Sequence, residues 1–518
     1  MTTPPGPISI HCLVAVGVQM NLLCLEKQLD RFAARHAPSS PPILPMTSQT
    51  VFLTAVVCTS ALLSTPLVAS ERVQLLVDDH LIESRERLTR VVQQPKPHPD
   101  NPLIRAEHAW EGSVLEMPTV FWDPYLKLFR MYYWAIYNAE TIYTCYATSR
   151  DAIHWDKPLL GIHPGPDGTT RNNIVLRGAG KVARTRYVVL NPDTTDRARR
   201  YLALYIDNVP GLTEFAASSP DGLHWKTEKK IGDLRNVRGG KVTKNPPFFL
   251  IEQQWERDSQ DGHRYRCIWR TESQDLLHWT GGRIVVDRRA DDDPDLEFYH
   301  AASHFQGTQS YHGIHFGYLY LFHTDTSRKV RDDGVRLAGT VATSLMYSRD
   351  TIHWTRANRK RRFLPLGAEG TWDAKMNYLM PEVPIKDTLH FYYCGFEKDH
   401  AFTKNKASLG LATLPRDRFV SLETMQEPGW LVTKPFIADG DNLFLNADAS
   451  GGQIRVEILD GRQKPLTQFG IDRAIPLESD MLHSQVTWSG ASFAELRGQS
   501  IRLRIHLQHA RLFSFTIQ

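Results

Sequence analysis

Cysteine is scarce, and it forms no pattern. The 518 residues hold six, with neither a CxxC nor a Cys/His cluster, so no disulfide framework or zinc site is indicated. Charge of a single sign is missing as well. Lys and Arg number 61 against 57 Asp and Glu, a formal net charge of +4, and the two signs are interspersed, whereas a nucleic-acid binder concentrates basic residues on one face. No nucleic-acid partner is expected. Helical periodicity is nearly absent beyond the N-terminal stretch, which favours an all-β chain. Compact motifs are lacking too. There is no GxxxxGK[ST] phosphate loop, no HExxH, no GxSxG elbow and no dinucleotide fingerprint, since GAGK at 178–181 has the wrong spacing. No cofactor and no resident metal are expected. What remains is ordinary, 42% hydrophobic and 23% charged, a composition that folds.

One long apolar run occurs, VFLTAVVCTSALLSTPLVA at 51–69, followed abruptly by Glu71 and Arg72. It reads as the core of a signal peptide, with small residues around Ala69 for cleavage and Met46 as a start just upstream. Its Ser, Thr and Cys interruptions and Pro66 make it a weak anchor, because a membrane span needs about 20 strongly apolar residues. Residues 1–70 are therefore expected to be a leader, the mature chain secreted or periplasmic, and no stable membrane span to survive processing. Cys145, Cys267 and Cys394 remain, each in an aromatic segment (YTCYA, YRCIW, YYCGF), and read as buried strand residues.

The middle of the chain repeats itself. SRDAIHW (149–155), SPDGLHW (219–225), SQDLLHW (273–279) and SRDTIHW (348–354) share SxDxxHW, and their tryptophans are spaced by 70, 54 and 75 residues. A fainter fifth copy, LATLPRDRFVSL (411–422), keeps Arg416, Asp417 and Phe419. The segments before each copy alternate like strands, so each repeat reads as strand, tight turn, strand. Ser and Asp oxygens suit the turn and Trp suits packing on a neighbouring repeat, with the four histidines directed to the opposite face. Repeated antiparallel sheets of this length bury their faces by radial packing. The expectation is an all-β chain with a five-bladed β-propeller over 73–425. After Gly429, short alternating runs between turn residues predict a β-sandwich over 430–518.

Carboxylates beside apolar strands are the candidates for chemistry. Asp291, Asp292, Asp293, Asp295 and Glu297 crowd into DDDPDLEFY, and in an extended strand Asp293, Asp295 and Glu297 share a face. Such crowding suits an acid/base pair, a calcium site or a solvated loop, although Leu296 and Ala302 stand where a calcium loop needs Gly and Glu. Glu111 and Glu116 lie in WEGSVLEMPTV, Asp373 in GTWDAKM and Glu382 in LMPEVPI. Glu116 opens the first strand of the first repeat, where a propeller's central funnel begins. Trp110, Glu111 and Trp372 are candidate substrate contacts. The basic run from Arg356 to Arg362 reads as a solvated loop or an anionic glycan contact.

The stretches VDDHLIE, NPLI, WEG, MPTVFWD and FRMYYWA, with the repeated ATSRDAIHW, resemble the five-bladed propeller glycoside hydrolases of the invertase, levansucrase and arabinanase/xylosidase type. The C-terminal part is similar to the accessory domain of the invertase group. The resemblance implies hydrolysis of an oligo- or polysaccharide by carboxylates at the funnel floor, one the general acid and another the nucleophile or water-activating base. LEMPTV occupies the place of the first-blade acid, which makes Glu116 the base or nucleophile. The acid is then sought at Asp295, Glu297 or Asp373, because Asn172, Asn173, Asn191 and Asn245 stand where the second and third blades would supply one. Those asparagines motivate the alternatives, a non-catalytic carbohydrate-binding propeller or a protein-interaction scaffold.

Overall fold

Four turns built alike set the rhythm of the chain. The computed structural model describes Val73–Gln518 apart from residues 194, 210, 258–261, 263, 326, 328–334 and 403; the expected leader and its apolar run lie outside the described residues. Ser149 Oγ accepts the backbone N–H of Ala152 at 2.8 Å, and Asp151 Oδ1 accepts those of Ile153 and His154 at 2.9 and 2.8 Å. Asp151 Oδ2 lies 2.7 Å from the His154 imidazole. Asp221, Asp275 and Asp350 repeat the arrangement. The histidines are therefore exposed caps on the turn carboxylates and not residues of a strand face, as the alternation had implied. The turn needs a left-handed residue after its Asp. Gly222 supplies it freely at φ 74°, whereas Ala152, Leu276 and Thr351 adopt φ of 66°, 70° and 63° against side-chain preference. In the fifth copy Asp417 itself takes the left-handed position, φ 66°, and accepts a hydrogen bond from Tyr311.

The tryptophans join each repeat to the one before. Trp225 meets Tyr132 edge-on at 6.2 Å, Trp354 lies 6.4 Å from Phe249, and Trp279 packs on the cluster that holds Leu202 and Leu204. Trp155, of the first repeat, meets Tyr392 of the last at 5.6 Å. Tyr392 also donates to the Ala152 carbonyl at 2.6 Å, as Tyr132 does to that of Gly222 at 2.9 Å.

Among the described residues the regular structure is strand and short 3-10 turn, with no α-helix, and no helix is long and apolar enough to cross a membrane. Strands pair antiparallel in chain order within each repeat. Val114–Asp123, Leu128–Ile136, Ile142–Ser149 and Ile174–Leu176 form the first group. Arg184–Leu190, Tyr201–Asn208, Leu212–Ser219 and Lys226–Gly232 form the second. The third has Phe248–Arg257, Arg264–Ser273 and Trp279–Val286, one strand fewer ahead of its turn. Leu296–Ser303, His315–Thr324 and Gly339–Ser348 make the fourth. Met376–Leu379, Thr388–Phe396 and Ala407–Pro415 make the fifth, and Lys96–Pro97, from ahead of the first group, pairs onto its outer edge. Cys145, Cys267 and Cys394 are buried and free.

The expected boundaries at Val73 and Trp430 need correction. Val73–Leu75 pairs with Arg511–Ile517, Ile82–Glu86 with Gly429–Thr433, and Thr89–Val92 with Val420–Glu423, which itself pairs with Arg511–Ile517. Leu76, Leu81, Ile82 and Leu88 bury in one core with Leu431, Ile454, Leu503 and Leu512. Apolar residues separated by more than 330 positions thus decide the partition, which local alternation cannot reveal.

Candidate active site

One cavity of about 820 Å³ is lined by residues of the first strand of each of the five groups, Val114–Asp123, Arg184–Leu190, Phe248–Arg257, Leu296–Ser303 and Met376–Leu379, with further lining from neighbouring strands and loops. Glu116 reaches it from a break in the first. The register against Leu128–Ile136 shifts between Glu116 and Thr119, with Met117 at φ 49° and Pro118 next. Such a bulge re-aims the side chains beside it. Burial pushes the Glu116 carboxyl up to about 7, although the Arg184 charge works the other way. Arg184 is itself placed over the Trp134 ring, 5.7 Å from its centre.

A second glutamate lines the same cavity. Glu252 sits in the middle of Phe248–Arg257 with its side chain only 4% exposed, 2.7 Å from Arg186. Arg186 also pairs with Glu214 at 3.0 Å. Burial pushes Glu252 up to about 7, the Glu214 charge adds to this and Arg186 opposes it. One Glu252 oxygen, Oε1, is buried without a hydrogen-bond partner, which an interior acceptor pays for unless a ligand satisfies it. His300 stands beside them. Burial and the Arg186 charge push its imidazole down to about 3, so it is neutral at pH 7, and its Nδ1 is unpartnered. Tyr299 stacks on Tyr378 at 5.6 Å and bonds to His400 at 3.0 Å. Tyr137 and Phe402 remain exposed at the rim. Two carboxyls that exchange protons near neutrality, a neutral imidazole and aromatic walls together suit acid/base chemistry on a hydroxylated ring.

Of the residues singled out in the sequence, Glu116 lies in this cavity and the others do not line it. Glu297 is buried and bound to Arg266 at 2.5 Å. Asp295 precedes the strand instead of sharing its face and lies 3.2 Å from His323. Asp373 accepts from Tyr393 and Thr371, each at 3.0 Å, while Trp372 fills the space over Gly395 and Gly410. Trp110 stacks on His108 and donates to Asn173 at 2.9 Å. Glu111 is fully buried, where it accepts from the backbone of Glu107 and His108 and from Tyr133 and pairs with Lys157. Asn172, likewise buried, donates to backbone carbonyls. These groups are consumed by the fold around them. The acidic and basic runs neutralise each other: Arg356 lies 2.6 Å and Arg359 2.8 Å from Asp292, and Arg359 also pairs with Asp291. Asp293, Asp295 and His323 bring ligand atoms within 4.8 Å of one another, with the Arg362 guanidinium against the same imidazole.

Sequence reasoning missed Glu252, His300, Arg184 and Arg186. The available signal was a lone glutamate inside the apolar strand FFLIEQQW, a placement that costs free energy unless it is paired or used.

No protein-family model matches the chain. It is 31% identical over 148 residues to an invertase of Schwanniomyces occidentalis, a match that covers 28% of this chain and 27% of that protein, so the chain spans about a quarter of its relative's length. Among solved structures, a fructofuranosidase of Schwanniomyces occidentalis complexed with fructosylnystose aligns over 82% of this chain and 98% of its own, at 11% identity and a TM-score of 0.33. A glycosyl hydrolase of Bacteroides ovatus aligns over 63% and 95%, at 16% identity and 0.40. An α-L-arabinofuranosidase of Podospora anserina in complex with cellotriose aligns over 64% and 97%, at 11% identity and 0.33. The described residues are all-β, and the chain is similar to glycoside hydrolases of the propeller type.

Proposed function

We propose that this chain is a secreted glycoside hydrolase, a five-bladed propeller followed by a sandwich to which Val73–Val92 contributes strands. The ring is supported by the Trp155–Tyr392 contact and by Lys96–Pro97 pairing on the outer edge of the last strand group. The observation that carries the chemistry is a pair of glutamates in one cavity, Glu116 and Glu252, both held near pKa 7. Glu252 has the drier position beside the Glu214 charge, so it keeps its proton and acts as general acid, delivering that proton to the leaving glycosidic oxygen. Glu116 either attacks the anomeric carbon or takes a proton from the attacking water. Arg184 and His300, which line the same cavity, contact substrate hydroxyls. The substrate class is an oligo- or polysaccharide.

Leaving-group dependence tests the assignment of the acid. Glu252→Gln is expected to lower kcat/KM on a sugar leaving group by about 10²–10⁴-fold. The loss on a 4-nitrophenyl glycoside is expected to be far smaller, because nitrophenolate departs without a proton. Equal losses on both would remove Glu252 from that role.

A further inference from the structure

Lysine and arginine outnumber acids around the active-site cavity. Arg184, Arg186, Arg235, Lys404 and Lys406 line it, against the two carboxyls of Glu116 and Glu252. Two of these cations already have acids: Arg186 lies 2.7 Å from Glu252 and 3.0 Å from Glu214, and Arg235 donates twice to Asp233 at 2.8 Å. The other three do not. Arg184 is only partly buried, and its guanidinium makes neither a hydrogen bond nor an ion pair with any described residue. Burial pushes it down, the Glu116 charge opposes this and Arg186 adds to it. Glu116 is an incomplete counter-ion, because a carboxyl near 7 is charged only part of the time at neutral pH.

Lys404 and Lys406 are exposed at the rim, and neither pairs with an acid among the described residues. Their place is fixed by Asn405 between them. Its side chain accepts the Lys398 N–H at 3.1 Å and donates to the Lys398 carbonyl at 2.9 Å, while its own carbonyl accepts from Ser113 at 3.2 Å. Ala407 next pairs with Val114, at the start of the strand that carries Glu116. A partly desolvated guanidinium without a counter-charge is unfavourable, and a cleft whose free charges share one sign concentrates the opposite sign. A hydroxyl satisfies a donor and leaves the charge. An oxyanion satisfies both, since two of its oxygens match the paired N–H groups of an arginine.

We infer that the saccharide taken by this cavity is anionic, carrying a carboxylate or a sulfate ester that Arg184 holds and that Lys404 and Lys406 draw in. This rests on the hydrolase reading of the site and sharpens it: one of the ring substituents that Arg184 contacts is charged.

The test measures binding by calorimetry to the full chain carrying Glu116→Gln, so that no ligand is cleaved. Oligogalacturonates and oligoglucuronates are set beside their neutral galactose and glucose counterparts for the carboxylate, and sulfated galactans beside their desulfated forms for the sulfate ester. At least one charged member is expected to bind about 10-fold or more tightly than its neutral partner, and the pair that shows this identifies the oxyanion. Arg184→Met should remove that preference while the neutral partner, still bound, reports an intact cavity. Arg184→Lys, which keeps the charge without the fork, should retain part of it. Lys404→Gln together with Lys406→Gln should weaken the charged ligand about 3-fold in about 50 mM salt and have little effect in about 500 mM, where exposed charges are screened. A preference that survives Arg184→Met, tighter binding of the neutral members, or no binding in any pair would overturn the inference. Charged saccharides bound but never cleaved by the wild type would contradict the hydrolase reading alone. Cleavage of neutral saccharides with no gain from charge would contradict this inference alone.

Discussion

Glu116→Gln is expected to lower kcat by about 10³-fold or more on every substrate the protein hydrolyses, with little change in KM. The glutamine amide fills the same volume at the same bulge, so the cavity and its aromatic walls persist and substrate still binds. What disappears is the one group at this position able to become a carboxylate, and neither an attack on the anomeric carbon nor the activation of water proceeds without it. The contrast with Asp373→Asn is instructive. Asp373 accepts from Tyr393 and Thr371 away from the cavity, so its replacement is expected to leave kcat within about two-fold while lowering the melting temperature. Steady-state kinetics with circular dichroism on both variants separates the two roles.

The second large effect falls on the closure of the chain. Trp155→Ala is expected to cost about 2–4 kcal/mol, read as a fall in urea midpoint at unchanged slope, because a large, partly buried ring leaves a void that the edge of Tyr392 fills poorly. Trp225→Ala removes the corresponding contact with Tyr132 between the first two repeats. A similar cost there is expected if every junction between repeats carries the same load. The distinguishing measurement is protease sensitivity near Gln93 and Glu423, which should rise in Trp155→Ala and not in Trp225→Ala, since only the former loosens the junction of the first and last groups.

The repeat was legible because it rests on local chemistry. A Ser and an Asp cap a turn wherever they stand, and the tryptophan four residues after the Asp has a neighbour to pack against. The 54-residue spacing between Trp225 and Trp279 even records the strand that the third group lacks. Glu116 was found by its place before a strand and a proline. Glu252 was missed for a related reason: with the third group shortened, no strand starts at Asn245, and the strand that reaches the cavity is Phe248–Arg257, whose glutamate lies in its middle. The acidic and basic runs misled because each was read alone, whereas Asp292 and Arg356 are 64 positions apart and 2.6 Å distant. Charge crowding on paper became charge neutralisation in space. The N-terminal strands failed in the same way, since their partners lie at the other end of the chain.

Two glutamates in one cavity, Glu116 and Glu252, must hold opposite protonation states to act. Glu116 works as a carboxylate, so activity rises as pH climbs through its pKa; Glu252 works as an acid, so activity falls as pH passes its own. With both near 7, kcat/KM on a responsive oligosaccharide substrate, whose leaving group needs the proton, should trace a narrow bell centred near pH 7. Glu252→Gln should abolish the alkaline fall and leave the acid limb. A profile indifferent to both Glu116→Gln and Glu252→Gln, or binding of saccharides with no turnover anywhere between pH 5 and 9, would contradict these roles.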